Sequence, residues 1–401
     1  MKQLEDYLPI VGEQELYNIY QKASRLRDRH LVHVNSTFIG GGVAEILNNL
    51  VPLINDSGLD AGWRVLHGNL EFYDITKRMH NALQGSNDIL KKEDKQTYLA
   101  VNESFASYSH FDHDTVVIHD PQPLALIRYI KKRQPWIWRC HIDLTNPNPV
   151  FWDFIKPFIL RYDLMIVSTE QYKKHDIPVE QRIIHPAIDP LAPKNITLSK
   201  KHYKRILDEA NIPADKPIIT QVSRMDKWKD PEGLLKIFEQ VKKKIDCRLL
   251  YTYNLATDDP EGIDIFNRIQ QAVNDLPFKD DILFVLGNND YLVNAIQTHS
   301  DVVVQKSIRE GFCLCVTEAM WKETPVVASN VGGIPVQIDD GENGYLFDPL
   351  DYQGFADAIV ELLKNKKLAQ SIGKSAKDKI KRKFLSPRLI NDYLTLMREI
   401  L

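Results

Sequence analysis

Cysteine is scarce: four residues, Cys140, Cys247, Cys313 and Cys315, in a chain of 401. They are too few and too scattered for a disulfide framework, so a reduced, cytoplasmic protein is expected. Long apolar runs are missing too. No stretch approaches the roughly 18 continuous apolar residues of a transmembrane helix, and no membrane span is expected. The opening MKQLEDYLPIVGEQELY carries acids where a secretory leader needs an apolar run. An excess of one charge is equally absent, with a formal net charge of −3 and no dense Lys/Arg block. That leaves no electrostatic footprint for nucleic acid or for an anionic membrane surface. What is present is 43% hydrophobic and 26% charged residues, enough to bury substantial cores, over a length that suggests two domains.

Short β-branched runs alternate with helical patterns throughout. HLVHVNS (30–36) reads as a strand that stops at a glycine cluster, GGG (40–42), and VAEILNNLVPLINDSG (43–58) follows with apolar residues at helical spacing. Further strands are expected at 63–67, 115–120, 136–143 and 163–169, with helices at 123–133 and 148–161. The polar, proline-rich stretch 185–200 reads as a linker. A second series then places strands at 216–224, 247–254, 281–287, 301–305 and 325–329. Helices fall at 233–245, 291–300 and 313–323, then at 353–365, 368–383 and 387–400. No repeat is visible between the halves. Two α/β units with mostly parallel sheets are the expected fold class. In such sheets ligands sit beyond the carboxyl ends of the strands, so the loops there hold the candidate functional residues.

GGGVAE follows a strand and opens a helix, where free backbone N–H groups can meet an anion or a sugar hydroxyl. Glu45 replaces the third glycine of a dinucleotide fingerprint. Gly41 and Gly42 serve either a tight turn or close approach of a ligand. IHDPQP puts His119 and Asp120 at a strand end with two prolines fixing the loop after them, where a carboxylate suits sugar hydroxyls or caps a helix. WRCHID raises the same pair of readings for His141 and Asp143. In QVSRMDKWKDPEG, Arg224 and Lys229 are either surface cations or a fork and a point charge for a diphosphate.

EGFCLCVTE (310–318) sets Glu310 on a loop and Glu318 inside a helix, about 7.5 Å along the axis from Cys313. The amides of 313–316 at the helix start suit a phosphate. A metal pair is disfavoured, because no further ligand stands at metal spacing. The two cysteines read as small apolar core residues. Gly332 and Gly333 of NVGGIPVQIDDGENGYLF (330–347) read as a structural turn.

SR…K, the E-x7-E frame and SNVGGIPVQIDDGENGYLF resemble retaining glycosyltransferases of family 4. HVNSTFIGGGVAEIL, FYDITKRMHNALQG, HDPQPLALI, WIWRCHIDL, PIITQVSR and SIREGFCLCVTEAMW resemble, more specifically, the trehalose glycosyltransferring synthases over nearly the whole chain. The resemblance implies the GT-B fold, two Rossmann-like domains with parallel sheets facing a central interdomain cleft. It implies an acceptor-side domain over 1–200 and a donor domain over 201–385, with a last helix, about 386–401, that packs back on the first. The implied reaction moves glucose from a nucleoside-diphosphate glucose (UDP, ADP or GDP) to glucose, giving trehalose with retention, reversibly. A retaining trehalose phosphorylase, or a transferase with another acceptor, stands as the alternative.

By similarity the catalytic residues would be Arg224, Lys229, Glu310, Asp120 and His141. Donor contacts would come from Gly41, Gly42, Gly311, Leu314, Cys315 and Glu318, with Glu318 on the ribose and Glu310 on the transferred sugar. Glu45, Asp120 and Gln122 would contact the acceptor. No tightly bound cofactor and no dedicated metal site are expected, with Mg2+ at most a stimulant; the partners are the small-molecule substrates, and a homodimer is one expected assembly. A glycoside hydrolase would need two acids across one bond and no such cations. A non-catalytic sugar-binding protein would not need Glu310, Arg224 and Lys229 together.

Overall fold

The computed structural model describes residues 2–254 and 260–401. The β-branched runs of the first half become β1 (His30–Asn35), β2 (Asp60–Val65), β3 (Thr115–His119), β4 (Trp136–Arg139), β5 (Leu164–Val167) and β6 (Glu180–Ile183). They pair in the order β2-β1-β3-β4-β5-β6, every pair parallel. β3, β4 and β5 are buried at every residue, as strands of a parallel sheet covered on both faces must be. The second half gives β7 (Ile218–Arg224), β8 (Arg248–Asn254), β9 (Ile282–Leu286), β10 (Val302–Gln305), β11 (Val326–Ser329) and β12 (Tyr345–Phe347). Their order is β12-β11-β10-β7-β8-β9, again all parallel. Read from β9, this is the Rossmann order.

The chain divides into two compact units, Met1–Ala187 with Phe384–Leu401, and Ile188–Lys383. Each has its own core. Trp136, Trp138, Phe72, Tyr98 and Phe151 are fully buried in the first. Phe238, Tyr251, Phe355 and the valines of β10 fill the second. The helix Ser386–Ile400 packs on Glu13–Ser24 and Gly42–Asp56 of the first unit. Its Leu389, Ile390, Tyr393, Leu394, Leu396 and Met397 are all buried, a stripe at helical spacing that needs such a surface.

Each sheet has one point where the strand order reverses. In the first it lies between β1 and β3, and in the second between β7 and β10. Loops leaving those strands diverge to opposite faces and open a crevice at their carboxyl ends. Asp120 follows β3, and Arg224 ends β7.

Three expectations change. The helix expected over 123–133 is a 3-10 turn, Leu124–Arg128. The loop before it is tied down, since Tyr98 donates to the carbonyl of Pro121 at 2.6 Å and Asn102 to that of Gln122 at 3.1 Å. The polar stretch after Ala187 is no free linker. Asn294 donates to the carbonyls of Pro193 and Ile196 at 2.9 and 2.8 Å, and the Trp321 indole to that of Asn195 at 3.0 Å. The helix expected over 313–323 is Leu314–Trp321, eight residues.

Candidate active site

The loop after β7 is built around Asp226, whose buried carboxylate accepts from the amides of Trp228 and Lys229 at 2.9 and 3.1 Å. This turns Lys227–Lys229 into a 3-10 helix, and Gln221 fixes its end by donating to the Lys229 carbonyl at 2.9 Å. Arg224 pairs with Asp226 at 3.0 Å and keeps its guanidinium half-exposed. Lys229 reaches the loop after β10 and pairs with Glu310, whose carboxylate also accepts from Ser307 at 3.3 Å. Burial opposes the Lys229 charge, but the Glu310 carboxylate outweighs it and holds the ammonium above its ordinary lysine value. Behind the pair, the fully buried Lys306 binds Asp230, which caps Pro231–Lys242 from a left-handed conformation, φ 44°. The ends of β7 and β10 thus bring Lys229 and Glu310 together, with Arg224 at the end of β7 paired to the Asp226 that builds the Lys229 loop.

Glu318 lies one helix turn past the first residue, Leu314, and is 1% exposed. Its carboxylate meets Lys194 at 3.5 Å and Gln297 at 3.4 Å. Cys313 precedes the helix at φ 74°, a conformation rare for a residue with a side chain. Its carbonyl already accepts from the Val316 amide at 3.1 Å, which removes that amide from the set expected to meet a phosphate. Gly311 and Cys315 are half-buried, and burial pushes the Cys315 thiol up to about 12, consistent with an inert packing residue. Gln337 locks the turn, donating to the Phe312 carbonyl at 2.5 Å and accepting from Thr317 at 2.6 Å. A Cβ on Gly333 would lie 2.7 Å from the Phe312 Cα, so this glycine is required by close backbone packing.

In the first unit, Asp120 sits at φ 60° and its carboxylate accepts from the His141 amide at 2.7 Å. Burial pushes the Asp120 carboxyl up to about 7, against the pull of that N–H and of Arg139. The His141 ring bonds His119 at 3.0 Å, and His119 bonds His33 at 2.9 Å. Gln122 follows in the same loop, its carbonyl held by Asn102. Across the strand-order reversal, Gly41 precedes the helix Gly42–Asp56 at φ 78°, ψ 157°, a region open essentially to glycine alone. Nothing lies within 4 Å of where its Cβ would be, so the backbone there is open to approach. Glu45 stands in the first turn of this helix.

Among the described residues no group of three or more His, Cys, Asp or Glu side chains is arranged to hold a metal ion. Nor is any helix among them long and apolar enough to cross a membrane. Several site-building residues escape the sequence reading. Lys194 lies in the stretch read as linker, and its lone signal is a cation directly after a proline. Tyr98 and Asn102 are one turn apart on Lys92–Tyr108, whose buried face is half polar and so shows no apolar stripe. Gln297 and Gln337 are buried polar residues of helix interiors or turns, which no spacing rule marks.

The profile of "Trehalose synthase, N-terminal domain" matches residues 33–174, and that of "Glycosyl transferases group 1" matches 203–379. The chain is 45% identical to the trehalose synthase of Thermococcus litoralis, over 99% of its own length and 97% of that protein's. It is 28% identical to the trehalose phosphorylase of Pleurotus pulmonarius, over 93% of this chain but 58% of that protein. Among solved structures, an Escherichia coli protein described as trehalose-6-phosphate bound with UDP-2-fluoro glucose superposes with a TM-score of 0.76 at 16% identity, covering 93% of this chain and 99% of that one. That likeness concerns the fold, two Rossmann-type units of the GT-B class. The reversal-point loops of this fold and full-length identity to a trehalose synthase lead to one conclusion: the chain belongs to the trehalose synthase family of glycosyltransferases and is a hexosyltransferase.

Proposed function

We propose that the enzyme transfers glucose from a nucleoside-diphosphate glucose to free glucose, forming α,α-trehalose with retention, and that the reaction runs in both directions. The observation that carries this reading is the Lys229–Glu310 pair where the strand order of the second sheet reverses, with Arg224 at the end of β7. A diphosphate needs cations there, and it would compete with Glu310 for the Lys229 ammonium. Glu310, so released, offers carboxylate oxygens to a sugar hydroxyl. Glu318, buried and one helix turn in, is suited to the paired hydroxyls of a ribose, with Lys194 offsetting its charge.

In such a site the bond from the sugar C1 to the leaving phosphate oxygen breaks while the acceptor oxygen bonds C1 from the same face. The acceptor proton passes to the leaving phosphate, and no enzyme nucleophile is required. Arg224 and Lys229 act by stabilising the negative charge that grows on the phosphate. Asp120 and His141 supply polar contacts to the sugars, and Gly41 and Gly42 allow backbone to approach the donor. Glu45 and Gln122 take the acceptor. The E. coli neighbour described with UDP-2-fluoro glucose supports a nucleotide-sugar donor.

Incubation with UDP-, ADP- or GDP-glucose and glucose is expected to release nucleoside diphosphate and a non-reducing disaccharide. Absence of product with every donor, together with phosphate-dependent cleavage of trehalose, would replace this reading with a phosphorylase.

A further inference from the structure

His33, His119 and His141 come from three consecutive positions in the first sheet: within β1, at the end of β3 and just past β4. Parallel pairing brings their side chains into one row. His33 Nδ1 lies 2.9 Å from His119 Nε2, and His119 Nδ1 lies 3.0 Å from His141 Nε2. The rings of His119 and His141 are 15° from coplanar with centroids 5.3 Å apart, the geometry of an edge-on N–H···N bond rather than a face stack.

Each link needs one ring nitrogen with a proton and one without. Burial disfavours the charged form of all three rings, and Arg139 adds to this at His119 and His141. A neutral row carries one proton per ring, so the protons stand either all on Nδ1 or all on Nε2. The second arrangement would bury an N–H at His33 Nε2, an atom that has no hydrogen-bond partner among the described residues. Orphaned buried N–H groups are rarer than under-satisfied acceptors. The first arrangement leaves only a lone pair there, in the interior beside the Tyr393 ring. It also leaves the proton on the Nδ1 of His141, the half-exposed end of the row.

We propose that His33 and His119 are positioning residues that hold His141 as its Nδ1–H tautomer, so that it meets the transferred sugar as a hydrogen-bond donor to a hydroxyl oxygen. This rests on the reading of His141 as a sugar contact. The row does for His141 what an outer partner does for a metal-bound histidine, fixing both tautomer and ring plane through the nitrogen that faces inward.

The test is long-range proton–nitrogen NMR of the full chain labelled with 15N-histidine at neutral pH, the His141 signals being assigned by their loss in His141→Gln. The expected spectrum shows a protonated Nδ1 and an unprotonated Nε2. A protonated Nε2, an averaged mixture or an imidazolium would overturn the proposal. His119→Asn, whose amide can donate in place of Nδ1–H, is expected to keep the pattern. His119→Leu is expected to lose it and to lower kcat about tenfold with the acceptor KM little changed. Should His119→Leu fail to fold, the wild-type spectrum still decides. An Nδ1–H spectrum with donor affinity and turnover untouched in His141→Gln would keep the tautomer lock and remove the sugar contact.

Discussion

Lys229 and Glu310 are each nearly buried, and each is the condition for burying the other. Removing one partner of such a pair leaves an uncompensated charge, at a cost of about 3 kcal/mol. Lys229→Ala is therefore expected to lower the unfolding temperature and, separately, to reduce turnover by at least about a hundredfold, as loss of a charge-stabilising donor does. The double variant Lys229→Ala/Glu310→Ala separates the two effects. Thermal unfolding and nucleotide release measured on both should show stability partly restored and turnover still lost. Recovered activity in the double variant would remove Lys229 from the phosphate role. The two acids of EGFCLCVTE have unlike surroundings: Glu310 faces Lys229 and Ser307, whereas Glu318 faces Lys194 and Gln297. The E-x7-E spacing was legible in the sequence, and so were the cations Arg224 and Lys229 at the end of β7 and on the loop after it. The partners of Glu318 were not, because Lys194 is remote in sequence and comes from a stretch whose composition signals only a linker.

Among the elements, the helix Ser386–Ile400 shows how a segment distant in sequence completes a unit. It lays a buried stripe on Glu13–Ser24 and Gly42–Asp56, and Lys22 donates to Asn391 and Thr395 at 2.6 and 2.7 Å. Arg388 donates to the carbonyls of His185 and Pro186 at 2.8 and 3.1 Å, holding the end of the first unit's main segment. Each large apolar side chain in the stripe contributes about 1.5–3 kcal/mol by burial, and Tyr393 also closes the inner end of the histidine row. Truncation after Lys383 is expected to abolish cooperative unfolding of the first unit and leave that of the second. Hydrogen exchange resolved by segment would show this as lost protection in β1–β5 with β7–β11 unchanged. Equal protection in both versions would mean that the helix is dispensable.

Over the whole molecule, two sets of buried groups pull stability in opposite directions with pH. Asp120 has a folded value raised to about 7, so its contribution is complete below the ordinary carboxyl range and is lost as pH rises through 7. The histidine row is lowered by burial, His33 to about 3, so its contribution is present above the ordinary imidazole value and is lost on acidification. Asp120→Asn keeps an acceptor for the His141 amide, and asparagine tolerates the left-handed backbone at this position. The variant should gain stability relative to wild type progressively between about pH 4 and pH 7, then hold that gain. Chemical denaturation of both proteins across this range measures the difference, and a flat difference would contradict a burial-shifted carboxyl.

Ten of the twelve strands, the two-unit architecture and the loops that hold the candidate residues follow from the sequence by itself, because period and turn chemistry are local; β6, β12 and helices such as Lys92–Tyr108 do not. Tertiary structure decided which strand ends are neighbours. The strand-order reversals at β1/β3 and β7/β10 bring loops far apart in the chain to one edge of each sheet. Neighbouring β1, β3 and β4 set three histidines in a hydrogen-bonded row, and the ends of β7 and β10 give Glu310 its Lys229 partner while Glu318 takes Lys194 and Gln297 from elsewhere. No window of sequence encodes these pairings, since each is fixed by long-range parallel pairing and burial.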